Sequence, residues 1–196
     1  MSQQTWFVAD EHYGHKNIIQ FCNRPFTTTD QMQDGLIKLH NEVVAPRDHV
    51  YHIGDMFWRT LPLYRATAIM DKLNGIHYYI LGNHEEMFEK EDNGYFFKSR
   101  FMWIKERTRI KPAGGPKAGI VLDHFAGRVW DQSDKGSWQL YGHTHGDLPE
   151  DPSLLSMDVG IDSSPFLRPF SLAEVRVLME AKMEKMRRRI EVSQTS

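Results

Sequence analysis

Short apolar runs punctuate this chain, and each ends in a polar cluster. TWFVAD (5–10), HVYHIGD (49–55), IHYYILGNH (76–84), GIVLDH (119–124) and WQLYGHTH (138–145) each open on a short run, at most about six residues, made mostly of apolar or aromatic positions. Runs of that length suit buried strands rather than helices. Helical patterns lie between some of them. Thr29 is placed to cap DQMQDGLIKLHNEVV, where Met32, Leu36, Leu39 and Val43 keep helical spacing and Pro46 follows the end. LYRATAIMDKLNG (63–75) sets Ala66, Ile69, Met70 and Leu73 on one side and stops at a glycine. FMWIKERTRIK reads as one or two further strands, and GGP (114–116) as the turn after them.

Ser171 is placed to cap a last helix spanning about 171–191, with a stripe of Val175, Met179, Met183, Met186 and Ile190. Such a stripe means packing on the domain or on a partner in a homodimer. Arg187-Arg188-Arg189 sits at its end, where positive charge also suits the helix dipole. Three arginines are a weak signal for a nucleic-acid arm. The β-α-β order of the first half predicts an α/β architecture.

Bulk properties narrow the function classes. At 196 residues the expectation is one domain over 1–196. The net charge is −2 and the pI near 6.5, which gives no global attraction to nucleic acid or to anionic membrane. One cysteine, Cys22, excludes an internal disulfide and a cysteine-based zinc site. No signal peptide, lipidation motif or run of 18 apolar residues is visible, so a cytoplasmic protein is expected.

The strand ends hold the candidate chemistry. They read Asp10-Glu11-His12, Gly54-Asp55, Gly82-Asn83-His84, Asp123-His124 and Gly142-His143-Thr144-His145. Ligands of α/β sheets gather beyond the carboxyl ends of strands, so these five ends can converge on one site. A glycine before the ligand allows a sharp turn. In an extended backbone, i and i+2 face the same side, which would aim both residues of Asp-x-His or His-x-His at one ion. Oxygen and imidazole donors without thiolate suit Mn²⁺, Fe²⁺, Ni²⁺ or Zn²⁺. Asp10, His12, Asp55, Asn83, His124, His143 and His145 are too many for one ion and fit two that share a carboxylate. Two metals about 3.5–4 Å apart are the usual device for in-line phosphoryl displacement.

D-x-H, GD, GNH, H and GH-x-H, in that order, resemble the calcineurin-like metallophosphoesterases. WFVADEHYGHKNII, NRPF and VGIDSSPFLRPFSLAEV look like a small, mostly bacterial and phage branch of predicted phosphoesterases. GNHE also echoes Ser/Thr protein phosphatases, but GDMFWRT lacks the Asp-Arg-Gly that follows GD in those enzymes.

The resemblance implies a four-layer α/β/β/α sandwich with two divalent metal ions, Mn²⁺ foremost. Asp10, His12 and His145 would hold one ion. Asn83, His124 and His143 would hold the other, and Asp55 would bridge them. His84 would not bind metal but would serve as general acid or charge stabiliser. A hydroxide held between the metals would attack phosphorus in line. The expected activity is phosphodiester hydrolysis, on a nucleotide or nucleic-acid end among other phosphate esters. A phosphomonoesterase, a protein phosphatase and a nuclease are the alternatives. A non-catalytic scaffold with this fold would have lost ligands, and here every position is filled.

Other residues divide between site and core. His15 is expected on the substrate side or behind the ligands. Arg24 and Arg128 are candidate phosphate clamps, since a guanidinium fork matches phosphate. Trp58 and Trp130 fit a stacked base or the core equally well. His40, His49, His52 and His77 lie within helix and strand patterns and read as structural, and Cys22 as a small buried residue.

Overall fold

The computed structural model describes residues 3–85 and 99–194, with side chains as far as Arg188. The strands, in chain order, are β1 (Thr5–Val8), β2 (His49–Ile53), β3 (Ile76–Ile80), β4 (Ile104–Lys105), β5 (Arg107–Ile110), β6 (Ile120–Asp123), β7 (Trp138–Tyr141), β8 (Ser156–Asp158) and β9 (Phe170–Ser171). The helices are α1 (Ile18–Phe21), α2 (Thr29–Val43), α3 (Leu63–Met70) and α4 (Leu172–Gln194).

Two sheets result. The first has the order β4-β3-β2-β1-β9, parallel throughout except for β9 against β1. The second has the order β5-β6-β7-β8, in which only β5 runs antiparallel to its neighbour. Alternation along β1 decides what each face meets. Trp6 and Val8 pack with Met32, Leu36 and Ile37 of α2 and with Ala66, Ile69 and Met70 of α3. Phe7 turns the other way and joins Ile53, Ile80, Ile120, Leu122 and Leu140 between the sheets. Val175 and Met179 of α4 enter that same inner cluster beside Met157 and Phe170, so α4 lies where the β8 and β9 edges meet. The expected α/β/β/α sandwich is thus the observed architecture.

Details differ from the sequence pattern. Thr28, not Thr29, caps α2: its side chain accepts from Gln31 N at 3.1 Å. The buried stripe of α2 is Met32, Leu36, Ile37 and His40, and Leu39 is only partly buried. Within the segment 63–75 the regular helix ends at Met70, and the chain tightens into turns after it. Ser171 and Glu174 cap α4 reciprocally, Glu174 N donating to Ser171 Oγ at 3.1 Å and Ser171 N to Glu174 Oε2 at 2.7 Å. Met183 and Met186 pack partly against the inner cluster, so the stripe as far as Met186 contributes to the chain's own core. The side chains of Arg189 and Ile190 lie outside the described residues.

The four histidines read as structural sit in the scaffold. His49 meets the Tyr78 hydroxyl at 2.9 Å. His52 spans Glu11 Oε1 at 2.7 Å and His77 Nδ1 at 3.0 Å, and His40 reaches Asn74 O at 2.8 Å. Burial lowers His40 from its ordinary 6.5 to about 4 and His77 to about 2. Between those values and 6.5 the unfolded chain binds protons that the fold excludes. Their contribution to stability is therefore full above about pH 6.5 and is lost as pH falls. We expect His40→Gln to lose less stability than the parent between pH 7 and pH 5, read as urea midpoints. Equal losses would contradict this assignment.

Candidate metal centre

Parallel strands put their carboxyl ends on one edge, and the predicted ligands leave from there. Asp10 and His12 follow β1, Asp55 follows β2, Asn83 and His84 follow β3, His124 follows β6, and His143 and His145 follow β7. The local backbone is not the extended one expected from the Asp-x-His spacing. Asp10, His12, Asp55, His143 and His145 all have positive φ, between 49° and 70°. Each left-handed non-glycine residue costs roughly 1–3 kcal/mol, and such strain concentrates at functional sites. The side chains face one point because tight left-handed turns aim them there.

The glycines have a second reason beyond turning. Gly54 has φ +87° and a Cβ there would collide with the His124 ring. A Cβ on Gly82 would collide with the Asp55 carboxylate. Backbone and ligand lie too close for any side chain between them.

Two groups of donors result. Asp10, His12 and His145 bring one ligand atom each to within 4.8 Å of one another, and so do Asp55, His124 and His143. Asn83 joins the second group, its Oδ1 standing 2.8 Å from His143 Nδ1 and 3.0 Å from His124 Nε2. Asp55 Oδ2 lies between the groups, 3.8 Å from His12 Nε2 and 3.5 Å from His124 Nε2. Asp55 Oδ1 accepts from His84 N at 3.0 Å.

A pair of cations fits this donor set. Asp10 is fully buried; its Oδ2 accepts from His143 N at 2.8 Å, but its Oδ1 has no partner. Burial pushes the Asp10 carboxyl up to about 8, against the pull of His145 and His124. A carboxylate so short of positive charge takes a proton when no cation is at hand. Burial acts to raise Asp55 as well, yet the His124 hydrogen bond and the His124 and His12 charges bring it to about 2. Burial drives His12 down to about 3, which keeps its imidazole neutral and able to ligate.

Residues behind the ligands fix their orientation. His124 Nδ1 is taken by Ile53 O at 2.8 Å and His145 Nδ1 by Asp162 Oδ2 at 2.7 Å, which leaves each Nε2 for an ion. Asp158 Oδ2 accepts from Thr144 Oγ1 at 2.6 Å and from Gly146 N at 3.0 Å, pinning the His143–His145 turn. Glu85 Oε1 takes three donors: Asp55 N at 2.9 Å, Gly82 N at 2.9 Å and Tyr79 OH at 2.8 Å.

Arg24 is not a phosphate clamp. It is buried, and its five N–H groups donate to Asp10 O at 2.7 Å, to Glu11 O at 2.8 Å, to Met32 Sδ at 3.5 Å and to both oxygens of Asp162 at 2.7 and 2.8 Å. Those bonds leave no N–H for a substrate and hold the Asp10–His12 turn instead. Arg24→Met would strand the Asp162 carboxylate in the interior, at a cost of about 3–5 kcal/mol. Urea unfolding checks this; a loss below about 1 kcal/mol, the value of an exposed pair, would contradict it.

Arg128 is exposed on the loop after β6 and has no described contact with the ligand groups. Trp130 is core, its Nε1 donating to Ser137 O at 3.2 Å. Trp58 is at the site: its ring centroid is 3.6 Å from that of His15 with 14° between planes, 4.9 Å from His84 and 6.0 Å from His12. His15 therefore sits beside His12, at 5.5 Å between rings. Cys22 is half-buried, and burial with the nearby Asp162 pushes its thiol up to about 12.

An α/β/β/α sandwich with oxygen and imidazole donors gathered at its strand ends is the build of a metal-dependent hydrolase. The chain belongs to the calcineurin-like phosphoesterase family, whose model matches residues 4–128. It is similar to an uncharacterized protein of Methanocaldococcus jannaschii, with 30% identity over 91% of this chain and 92% of that one. It is also similar to the Gene 66 protein of Mycobacterium phage L5, with 25% identity over 81% of this chain and 86% of the phage protein. Among solved structures, a protein of unknown function from Aquifex aeolicus matches with a TM-score of 0.66 and 18% identity, over 90% of this chain and all of that one, and shows the fold. Metal-dependent phosphoester hydrolysis is the activity of the family. Among the described residues, no helix is long and apolar enough to cross a membrane.

Proposed function

We propose that this chain is a dinuclear phosphodiesterase acting on nucleotide-like esters, with Mn²⁺ as its preferred ion. The observation that carries the reading is Asp55 Oδ2, set between two triads of donors. Asp10, His12 and His145 would hold one ion, and Asn83, His124 and His143 the other. When bound, such a pair neutralises phosphate oxygens and lowers the pKa of water enough to supply a nucleophile near neutral pH.

The protein's own groups do the rest. The Asp162 and Ile53 carbonyl contacts keep the His145 and His124 rings turned inward. His84 is held through its backbone N–H on Asp55, so its imidazole stands beside the centre, outside both donor groups. An alkoxide leaving group needs a proton, and the His84 ring gives it one. Oxygen and imidazole donors without sulfur suit Mn²⁺, Fe²⁺, Ni²⁺ and Zn²⁺ alike, and Mn²⁺ is put first on the family resemblance.

The test is turnover of bis-p-nitrophenyl phosphate against p-nitrophenyl phosphate, with Mn²⁺ restored after chelation. Faster diester turnover is expected. Faster monoester turnover would make the enzyme a phosphatase and contradict the diester assignment.

A further inference from the structure

Aromatic side chains stand on both sides of the donor groups, and neither set is needed to hold metal. Beside His12 and His84 stands the Trp58–His15 stack, partly exposed, with the Arg59 guanidinium 5.2 Å from the Trp58 ring centre. Beside the other group is Phe125, 49% exposed, its ring 4.8 Å from His143 and 5.1 Å from His124. Packing gives no account of Phe125, which follows the ligand His124 directly and leaves half its surface to water. Phe21, 71% exposed, extends the first platform at 6.3 Å from His15.

We propose that Trp58 with His15 on one side, and Phe125 on the other, are stacking platforms for the nucleobases of a short nucleotide whose phosphate lies at the metal centre. The inference rests on the phosphodiesterase reading and names its substrate class. Every base presents a π-face, so aromatic platforms take bases with little sequence preference. His15 covers one face of the Trp58 indole, so a base is taken on an outer face of that stack. A phosphodiester has two substituents, and the site offers one platform beside each donor group.

A short ligand suits the overall charge of the chain. A net charge of −2 and a pI near 6.5 give little counterion release on a long strand. A dinucleotide or a strand end satisfies both conditions.

Calorimetry on the Mn²⁺-loaded protein tests this without turnover. The ligands are thymidine 5′-monophosphate, methyl phosphate and phenyl phosphate. Stacking of one base predicts thymidylate binding roughly 5- to 100-fold tighter than methyl phosphate. Trp58→Leu or Phe125→Leu removes part of that advantage, and the double variant brings the two affinities together. The proposal is overturned if the parent shows no preference, if the preference survives the double variant, or if no phosphate binds. Phenyl phosphate binding as tightly as thymidylate also overturns it, since the platforms would then take an aryl ester. A base preference without diester turnover would separate failure of the catalytic reading from failure of this one.

Discussion

Asp55→Asn is expected to lower phosphodiester turnover on the order of 10³-fold or more while leaving the fold intact. Losing the shared charge removes several kcal/mol of electrostatic stabilisation, and each 1.36 kcal/mol is a factor of ten. The amide keeps an oxygen for the His84 N–H and has nearly the same volume, so the surrounding turns retain their contacts. What it lacks is the negative charge between His12 and His124. The ion-free variant should lose some stability, since Asp55 answers the charges of His124 and His12, but it should gain much less from added Mn²⁺ than the parent does, because a ligand that binds only the folded state stabilises more the more tightly it binds. Unchanged turnover would remove Asp55 from the centre of the mechanism.

His84→Ala is the second large effect. Its backbone bond to Asp55 survives the substitution, so the Asp55 carboxylate stays anchored. The imidazole is lost, and with it the proton for the leaving oxygen. General acid catalysis contributes typically about 10²–10⁴-fold. The loss should fall mainly in kcat, be greatest for alkyl esters and nearly vanish for p-nitrophenolate, which leaves without protonation. Metal content should be unchanged. A loss that is the same for every leaving group would mean that His84 positions the ester and donates no proton.

Much of this centre can be read from residue order alone, because short parallel strands end where their apolar run ends. Asp10, Asp55 and His124 are found that way, and GH-x-H and GNH place the rest. Backbone geometry was less legible. Nothing in Asp10-Glu11-His12 tells that both outer residues adopt left-handed φ, since the contacts that hold the turn, Arg24 on the Asp10 and Glu11 carbonyls and the Gly54 and Asp55 carbonyls on its N–H groups, come from elsewhere in the chain. The role of Arg24 itself was hidden for the same reason: its partner Asp162 is 138 residues away. Glu85 was visible in GNHE, yet its task of joining Asp55, Gly82 and Tyr79 depends on the register of β2 and β3. The three-residue β8 and the two-residue β9 are too short to carry any periodicity. Phe125 gave no signal because one aromatic after a strand is ordinary; its exposure against His143 is a tertiary fact.

Ion stoichiometry bears most directly on the dinuclear centre. Chelated protein would be dialysed against Mn²⁺ and the bound metal counted per chain, for the parent and for His12→Ala and His124→Ala. Two ions in the parent and about one in each variant are predicted, since each substitution disables one donor group and leaves the other. One ion in the parent, or the same count in all three proteins, would contradict a centre built from two groups around Asp55.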